Sequence, residues 1–195
     1  TNSFIVTVRE ANLTPGLAAQ TNRNIPELAL LSVTNSATDS DLPANTLTYQ
    51  LVSPPAGASN TTNGVITWTP TEAQGPGDYT ITATVRDNGT PQLSATNSFS
   101  VHVNDVNAAP VFLGTPTNRT VLPLASLTIT NAATDPDVPA NTLSYALVNA
   151  PTGALISATG VITWTPSQDQ DVTTNVITTV VTDNGTNQNN LSTTN

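Results

Sequence analysis

The sequence states one long phrase twice, and that repetition limits what the chain can fold into. From Thr38 it reads TDSDLPANTLTYQLVSPPAGA, GVITWTPTEAQ and YTITATVRDNGTP; from Thr134 it reads TDPDVPANTLSYALVNAPTGA, GVITWTPSQDQ and VITTVVTDNGTN. The offset is 96 residues and no gap interrupts the run from Asp39/Asp135 to Gly89/Gly185. Such a period is too long for one turn of a solenoid and matches a β-sandwich domain of roughly 100 residues. The repeating unit is a whole domain, and 195 residues hold two units' worth of it, each able to bury one modest core.

Periodicity within the phrase indicates strands. Tyr79, Ile81, Ala83 and Val85 alternate with Thr80, Thr82, Thr84 and Arg86, and Leu47, Tyr49 and Leu51 share one face, as do Leu143, Tyr145 and Leu147. Ile66 and Trp68 point one way and Thr67 and Thr69 the other; Trp68 and Trp164 read as plugs between sheets rather than as stacking platforms. Leu28 to Thr34 and Leu122 to Thr130 are apolar-rich strand candidates, and the Phe99–Val101–Val103 strand closes the first repeat. With 15 Pro and 10 Gly among abundant Thr and Asn, the turns are well supplied. The expectation is all-β: two tandem Greek-key β-sandwich domains of about seven strands each. Residues 1–12 read as the last strand of a preceding repeat plus a linker, 13–106 as repeat one, and 107–195 as repeat two lacking its last strand.

Composition removes several classes of function. A formal charge of −9, with four basic residues, all Arg, excludes the basic surface that nucleic acid requires. No Cys means no disulfide, thiolate metal site or cysteine nucleophile, and no Lys means no Lys–Asn isopeptide brace. The lone His102 sits in SVHVN on the solvent side of its strand, and no phosphate loop, zinc spacing or serine elbow is present, so an enzyme is not expected. No run approaches the roughly 20 apolar residues of a membrane span, and no signal peptide is visible. The missing Met points to a processed or excised piece of a precursor. Six Asn-x-Ser/Thr sequons, at Asn12, Asn60, Asn88, Asn118, Asn184 and Asn190, are weak evidence of glycosylation in so Asn- and Thr-rich a chain.

The acidic residues gather at strand ends. The turn after the second strand carries Asp39, Asp41 and Asn45, and the turn after the sixth carries Asp87; Glu10 and Asn12 arrive from the linker. In an immunoglobulin-like topology these segments share one end of the sandwich. The second copy repeats the set as Asp105 and Asn107, then Asp135, Asp137 and Asn141, then Asp183. One Asp-x-Asp reads equally as an Asx turn, but the threefold coincidence, present twice, points to a cation. Oxygen-only ligands select a hard ion, here Ca²⁺.

These same residues carry a resemblance. VRDNGTPQLSATNSFSVHVNDVNAAPVF resembles the end of a cadherin repeat, with its Asp-x-Asn linker and following Ala-Pro-x-Phe; TDSDLPANTLTYQL resembles the cadherin Asp-x-Asp turn, and NGVITW its Thr-Gly-x-Ile element. GVITWTPTEAQGPGDYTITATV is equally similar to immunoglobulin-like repeats of large bacterial surface proteins. The resemblance implies an extracellular or cell-surface tandem array stiffened by Ca²⁺ at its junctions, forming a rod, stalk or fibre used in adhesion. Its partners would be neighbouring repeats of the same or an identical chain, through homophilic or glycan contact. The alternatives are a carbohydrate-binding module and a spacer within a larger secreted enzyme. Departures narrow the ion count. Where cadherins carry Asp-Arg-Glu this chain has only Glu72, or Asp169 and Asp171, out of register; the linker is one residue short, with Ala108 in place of an Asp, and Glu10 replaces Asp in the first copy. One or two ions per junction are expected rather than three.

The ends of the sequence share a phase of the repeat. TNSFIVTV at the start matches TNSFSVHV at 96–103, and LSTTN at the close matches LSATN at 93–97. Two accounts fit: a segment of a longer periodic protein, or a protomer whose Ser3–Arg9 strand completes the second sandwich of its neighbour, giving a head-to-tail filament. Under either, Ser3–Arg9 is expected not to pair within the first repeat of its own chain.

Overall fold

The structure, a computed structural model, describes residues 1–185 and 190–195. The last two residues of the VITTVVTDNGTN phrase and the threonine of the Asn184 sequon lie outside them. The chain divides into two compact units, Thr1–Asp105 and Val106–Asn195.

In the first unit the strands are β1 (Gly16–Leu17), β2 (Arg23–Pro26), β3 (Leu31–Thr34), β4 (Ala37–Thr38), β5 (Thr48–Val52), β6 (Ser59–Asn60), β7 (Val65–Trp68), β8 (Gly77–Arg86) and β9 (Ser94–Asn104). One sheet has the order β2-β9-β8-β5, the other β3-β7-β6, and β1 pairs with β4. All pairings are antiparallel except β2 with β9, which is parallel. The alternation in YTITATVR is realised: Ile81, Ala83 and Val85 are buried on the same face of the sheet as Phe99, Val101 and Val103 of β9, with Ile81 opposite Phe99. Leu31 and Val33 of β3 with Ile66 and Trp68 of β7 complete one core drawn from both sheets. Trp68 is 1% exposed, donates from Nε1 to the Ala56 carbonyl at 3.0 Å, and meets Tyr79 edge-on with ring centroids 5.0 Å apart. Both sheets therefore share a single Trp-centred core, as in an immunoglobulin-like sandwich.

The second unit repeats this with β10 (Val111–Phe112), β11 (Leu127–Thr130), β12 (Ala133–Thr134), β13 (Ser144–Val148), β14 (Leu155–Ile156), β15 (Val161–Trp164), β16 (Thr178–Thr182) and β17 (Ser192–Thr194). Its sheets run β11-β15-β14 and β13-β16-β17, with β10 paired to β12. Trp164 is again buried, donating from Nε1 to the Thr152 carbonyl at 3.1 Å. Gly64 and Gly160 hold φ of +81° and +78°, and a side chain on Gly64 would strike the Asn35 carbonyl and the Tyr49 ring, which explains the glycine that opens each GVITW.

Two strand bounds are corrected. The candidates Leu28–Thr34 and Leu122–Thr130 shrink to Leu31–Thr34 and Leu127–Thr130, because Leu28 and Leu124 take φ near +60° and turn the chain before each strand. The strand Arg23–Pro26, two polar residues followed by Ile25 and Pro26, carries no local strand pattern. Ser3–Arg9 is exposed throughout and pairs with no described strand of its own unit.

Candidate functional site

The Asp-x-Asp and Asp-Asn-Gly motifs build one local device in each unit. In the first, Asp39 Oδ1 accepts the backbone N–H groups of Asp41 (3.1 Å) and Asn45 (2.9 Å), closing the loop on itself. Asp41 then takes the backbone N–H of Leu13 at 3.1 Å, and Asn45 Nδ2 donates to Asp41 Oδ2 at 2.5 Å and to Asn12 Oδ1 at 2.9 Å. Asp87 Oδ1 accepts from the N–H groups of Gly89 and Leu93, both at 3.0 Å, and its Oδ2 accepts from Asn12 Nδ2 at 3.1 Å. Asn88 Oδ1 accepts the Thr46 N–H at 2.8 Å. Gly89 has no side chain because Asn12 occupies that space. Glu10, further out, accepts the Leu42 N–H at 3.2 Å.

The second unit reproduces the pattern. Asp135 Oδ1 accepts from Asp137 (3.1 Å) and Asn141 (3.0 Å), and Asp137 takes the Ala108 N–H at 3.0 Å. Asn141 Nδ2 reaches Asn107 Oδ1 at 3.0 Å and also donates to Asp137. Asp183 accepts from Gly185 N (3.0 Å), Leu191 N (2.9 Å) and Asn107 Nδ2 (3.2 Å), and Gly185 leaves room for Asn107. The arrangement clasps the entering chain, at Asn12–Leu13 or Asn107–Ala108, to two loops of its own unit. Asp87 shows the electrostatic balance. Its burial pushes the carboxyl pKa up, but the donors Leu93, Asn12 and Gly89 together hold it below its ordinary value of 3.8.

Asp105 stands elsewhere. It follows β9, whose 11 residues span roughly 35 Å, so it lies at the opposite end of its unit from Asp87. There it meets Glu27, which follows β2, and Glu72, in the 3-10 turn Glu72–Gln74 after β7; one carboxylate oxygen from each falls within 4.8 Å of the others. Glu27 is buried, with its backbone N–H donating to the Asn104 carbonyl at 2.9 Å, and Gly75 leaves the space its carboxylate fills. Sequence reading missed Glu27. It is a single acid in IPELALL, 45 positions from Glu72, and the one available signal was that the second repeat has Pro123 there. Gln168 likewise stands in the place of Glu72, so the second unit does not repeat this cluster; Asp169 and Asp171 are exposed.

An oxygen-only set suits a hard cation, and two observations test whether one fits. Buried Glu72 Oε1, Asp39 Oδ2 and Asp135 Oδ2 accept no hydrogen bond. Three carboxylates within 4.8 Å repel by roughly 3 kcal/mol per ionised pair at an effective dielectric of 20. The oxygen donors present are of the type a hard divalent cation takes.

Against this geometry, residues 14–104 match the family model described as "Putative Ig domain". The chain is 34% identical over 120 residues to the Protocadherin-like wing polarity protein stan of Drosophila melanogaster, covering 54% of this chain and 3% of that protein. It also superposes on mouse Cadherin-23 EC22-24 (TM-score 0.57, 20% identity, 94% of this chain and 65% of that one). Human CDH23 EC21-23 gives a TM-score of 0.57 at 20% identity, with 93% and 62% covered. Residues 14–104 thus resemble an Ig-like domain, and the chain shares the fold of tandem cadherin domains. At these identities the structural likeness is one of fold, and the chain spans a small fraction of the curated relative and under two thirds of each solved chain. These relatives are animal proteins, and none ties the chain to bacterial surface proteins.

Proposed function

We propose that the chain is a structural and adhesive repeat segment whose successive sandwiches are stiffened by Ca²⁺ where one repeat follows the next. The observation that carries this is the Glu27–Glu72–Asp105 cluster, which sits where β9 hands over to the linker and leaves a buried glutamate oxygen without a hydrogen bond. Asp105 is followed two residues later by Asn107, the first member of the second unit's clasp. Within the first unit the candidate ligands are Glu27, Glu72 and Asp105 at one end and Glu10, Asn12, Asp39, Asp41, Asn45 and Asp87 at the other; within the second they are Asn107, Asp135, Asp137, Asn141 and Asp183. Bound calcium would neutralise charge that otherwise drives the carboxylates apart and so fix the segment that joins two sandwiches. Stacking of a glycan on Trp68 is closed off by its burial.

A second reading has its own support: the carboxylates act as metal-free clasps, since Asp41, Asp87, Asp137 and Asp183 already accept backbone N–H groups. Calcium titration after chelation separates the two. Under the calcium reading, Ca²⁺ at about 100 times its Kd raises stability by about 2.7 kcal/mol, and Glu72→Gln abolishes the gain. Superimposable melting curves in Ca²⁺ and EGTA overturn that reading and leave the clasp.

A further inference from the structure

The outer strand β13 of the second unit lacks a guard that its copy β5 has in the first. β5 is the edge of the sheet β2-β9-β8-β5, and β13 holds the same place beside β16, so this edge is set by the fold of both units. The register is also the same, with Tyr145 opposite Val181 as Tyr49 is opposite Val85. In the first unit Asn60 Nδ2 donates to the Tyr49 carbonyl at 3.1 Å, so that carbonyl points away from β8. Alternate residues of an antiparallel strand turn both backbone groups to one side. Tyr49 and Leu51 therefore present theirs at the edge, and Tyr145 and Leu147 do so in the second unit. There the covering amide is gone: Ile156 stands in the place of Asn60 and has no donor for the Tyr145 carbonyl. Ala146 stands in the place of Gln50, and on the adjoining β14 Leu155 stands in the place of Ser59 and is 69% exposed. Three polar residues of the first unit are thus apolar in the second, all on or beside one edge.

We propose that the β13 edge is a docking site for the β13 edge of a second copy of this chain. Sheet edges template strand addition and are ordinarily guarded by charge, proline or a covering group. No charged residue occurs from Val138 to Gln168, so two copies of a chain of net charge −9 can meet here without bringing carboxylates together. The strand is also complementary to itself. A two-fold axis through Ala146 sets Tyr145 of each copy opposite Leu147 of the other, and these residues exchange the N–H and C=O groups they present at the edge. The two Ala146 residues then form the close, non-hydrogen-bonded pair, with Cα atoms about 4.5 Å apart. On the same exposed face Ser144 of each copy meets Val148 of the other. Backbone pairing supplies the affinity, as in other strand additions. The same surface serves both copies, so the contact is isologous and closes as a dimer.

The proposal does not rest on the calcium reading, and its test is run in EGTA so that the two fail separately. Sedimentation velocity should show the wild-type chain passing from monomer to dimer as its concentration rises toward about 1 mM. Ala146→Gln with Ile156→Asn gives the second unit the residues the first unit carries, and should raise the dimer Kd at least about tenfold. Circular dichroism checks that this double variant keeps its strands. The register is tested separately, in a chain that has no Cys of its own. Ala146→Cys sets two thiols across the axis within disulfide reach, and the pair should cross-link under oxidised glutathione. Ser144→Cys sets its thiol four residues along the strand from its own copy, roughly 14 Å away and beyond that reach, and should not cross-link. A wild-type chain still monomeric at about 1 mM, a double variant that dimerises as tightly as wild type, or Ser144→Cys cross-linking as fast as Ala146→Cys would each overturn the assignment.

Discussion

Thr179 marks one place where the two interiors differ. Asn35 and Asn131 are buried copies of one another, each donating its backbone N–H to the glycine carbonyl that opens GVITW, at 2.9 Å. In the second unit Asn131 Nδ2 donates to Thr179 Oγ1 at 2.6 Å. The first unit has Ala83 in that place, and both polar atoms of the Asn35 side chain are buried without a hydrogen bond. A buried polar group left unsatisfied costs about 1–3 kcal/mol, whereas an apolar replacement of similar shape removes that penalty. Thr179→Val should therefore lower the stability of the second unit by about 1–3 kcal/mol in urea titration, while Asn35→Leu should leave the first unit unchanged or stabilise it. Asp87 makes a pH-dependent contribution. Its folded pKa lies below its ordinary 3.8, so its stabilisation is fully present above the unfolded value and is lost as pH falls through the folded one. Acid titration of the first unit should show this loss below about pH 4, and Asp87→Asn should remove it.

At the scale of the element, the clasp explains why Asp-Asn-Gly recurs as a unit. The aspartate collects N–H groups, the asparagine caps Thr46 or Thr142, and the glycine leaves space for the linker asparagine. Gly185→Ala should push Asn107 out and cost about as much as losing its hydrogen bonds to Asp183 and Asn141, roughly 1–3 kcal/mol; Asn107→Ala should be similarly destabilising, and the double variant less than the sum, since both act on one contact. The sequence made this much legible because the motifs repeat at a fixed offset and alternate with strands of clear period. It also grouped the loop acids of each unit, for loops at one end of a sandwich are forced together by topology. It read Asp105 with Asn107 as linker residues, and did not show that Asp105, after the 11 residues of β9, stands beside Glu27 and Glu72. Glu27 had no local signature to find. Likewise Arg23–Pro26 has a strand's geometry only through parallel pairing with β9, a tertiary contact that no local pattern encodes.

On the scale of the whole molecule, the two units should unfold as separate transitions, because each has its own core and they differ in size. Fully burying a large apolar side chain contributes about 1.5–3 kcal/mol, and among the described residues ten hydrophobics are buried in the first unit against three, Ile162, Trp164 and Val181, in the second. The second unit should therefore melt first. Each unit contains one tryptophan, so Trp68→Phe and Trp164→Phe chains report one transition each by fluorescence. Truncation deepens the contrast. Trp68→Ala empties a closed core and should cost about 3–5 kcal/mol, whereas Trp164→Ala enlarges a cavity already open beside Trp164 and should cost less.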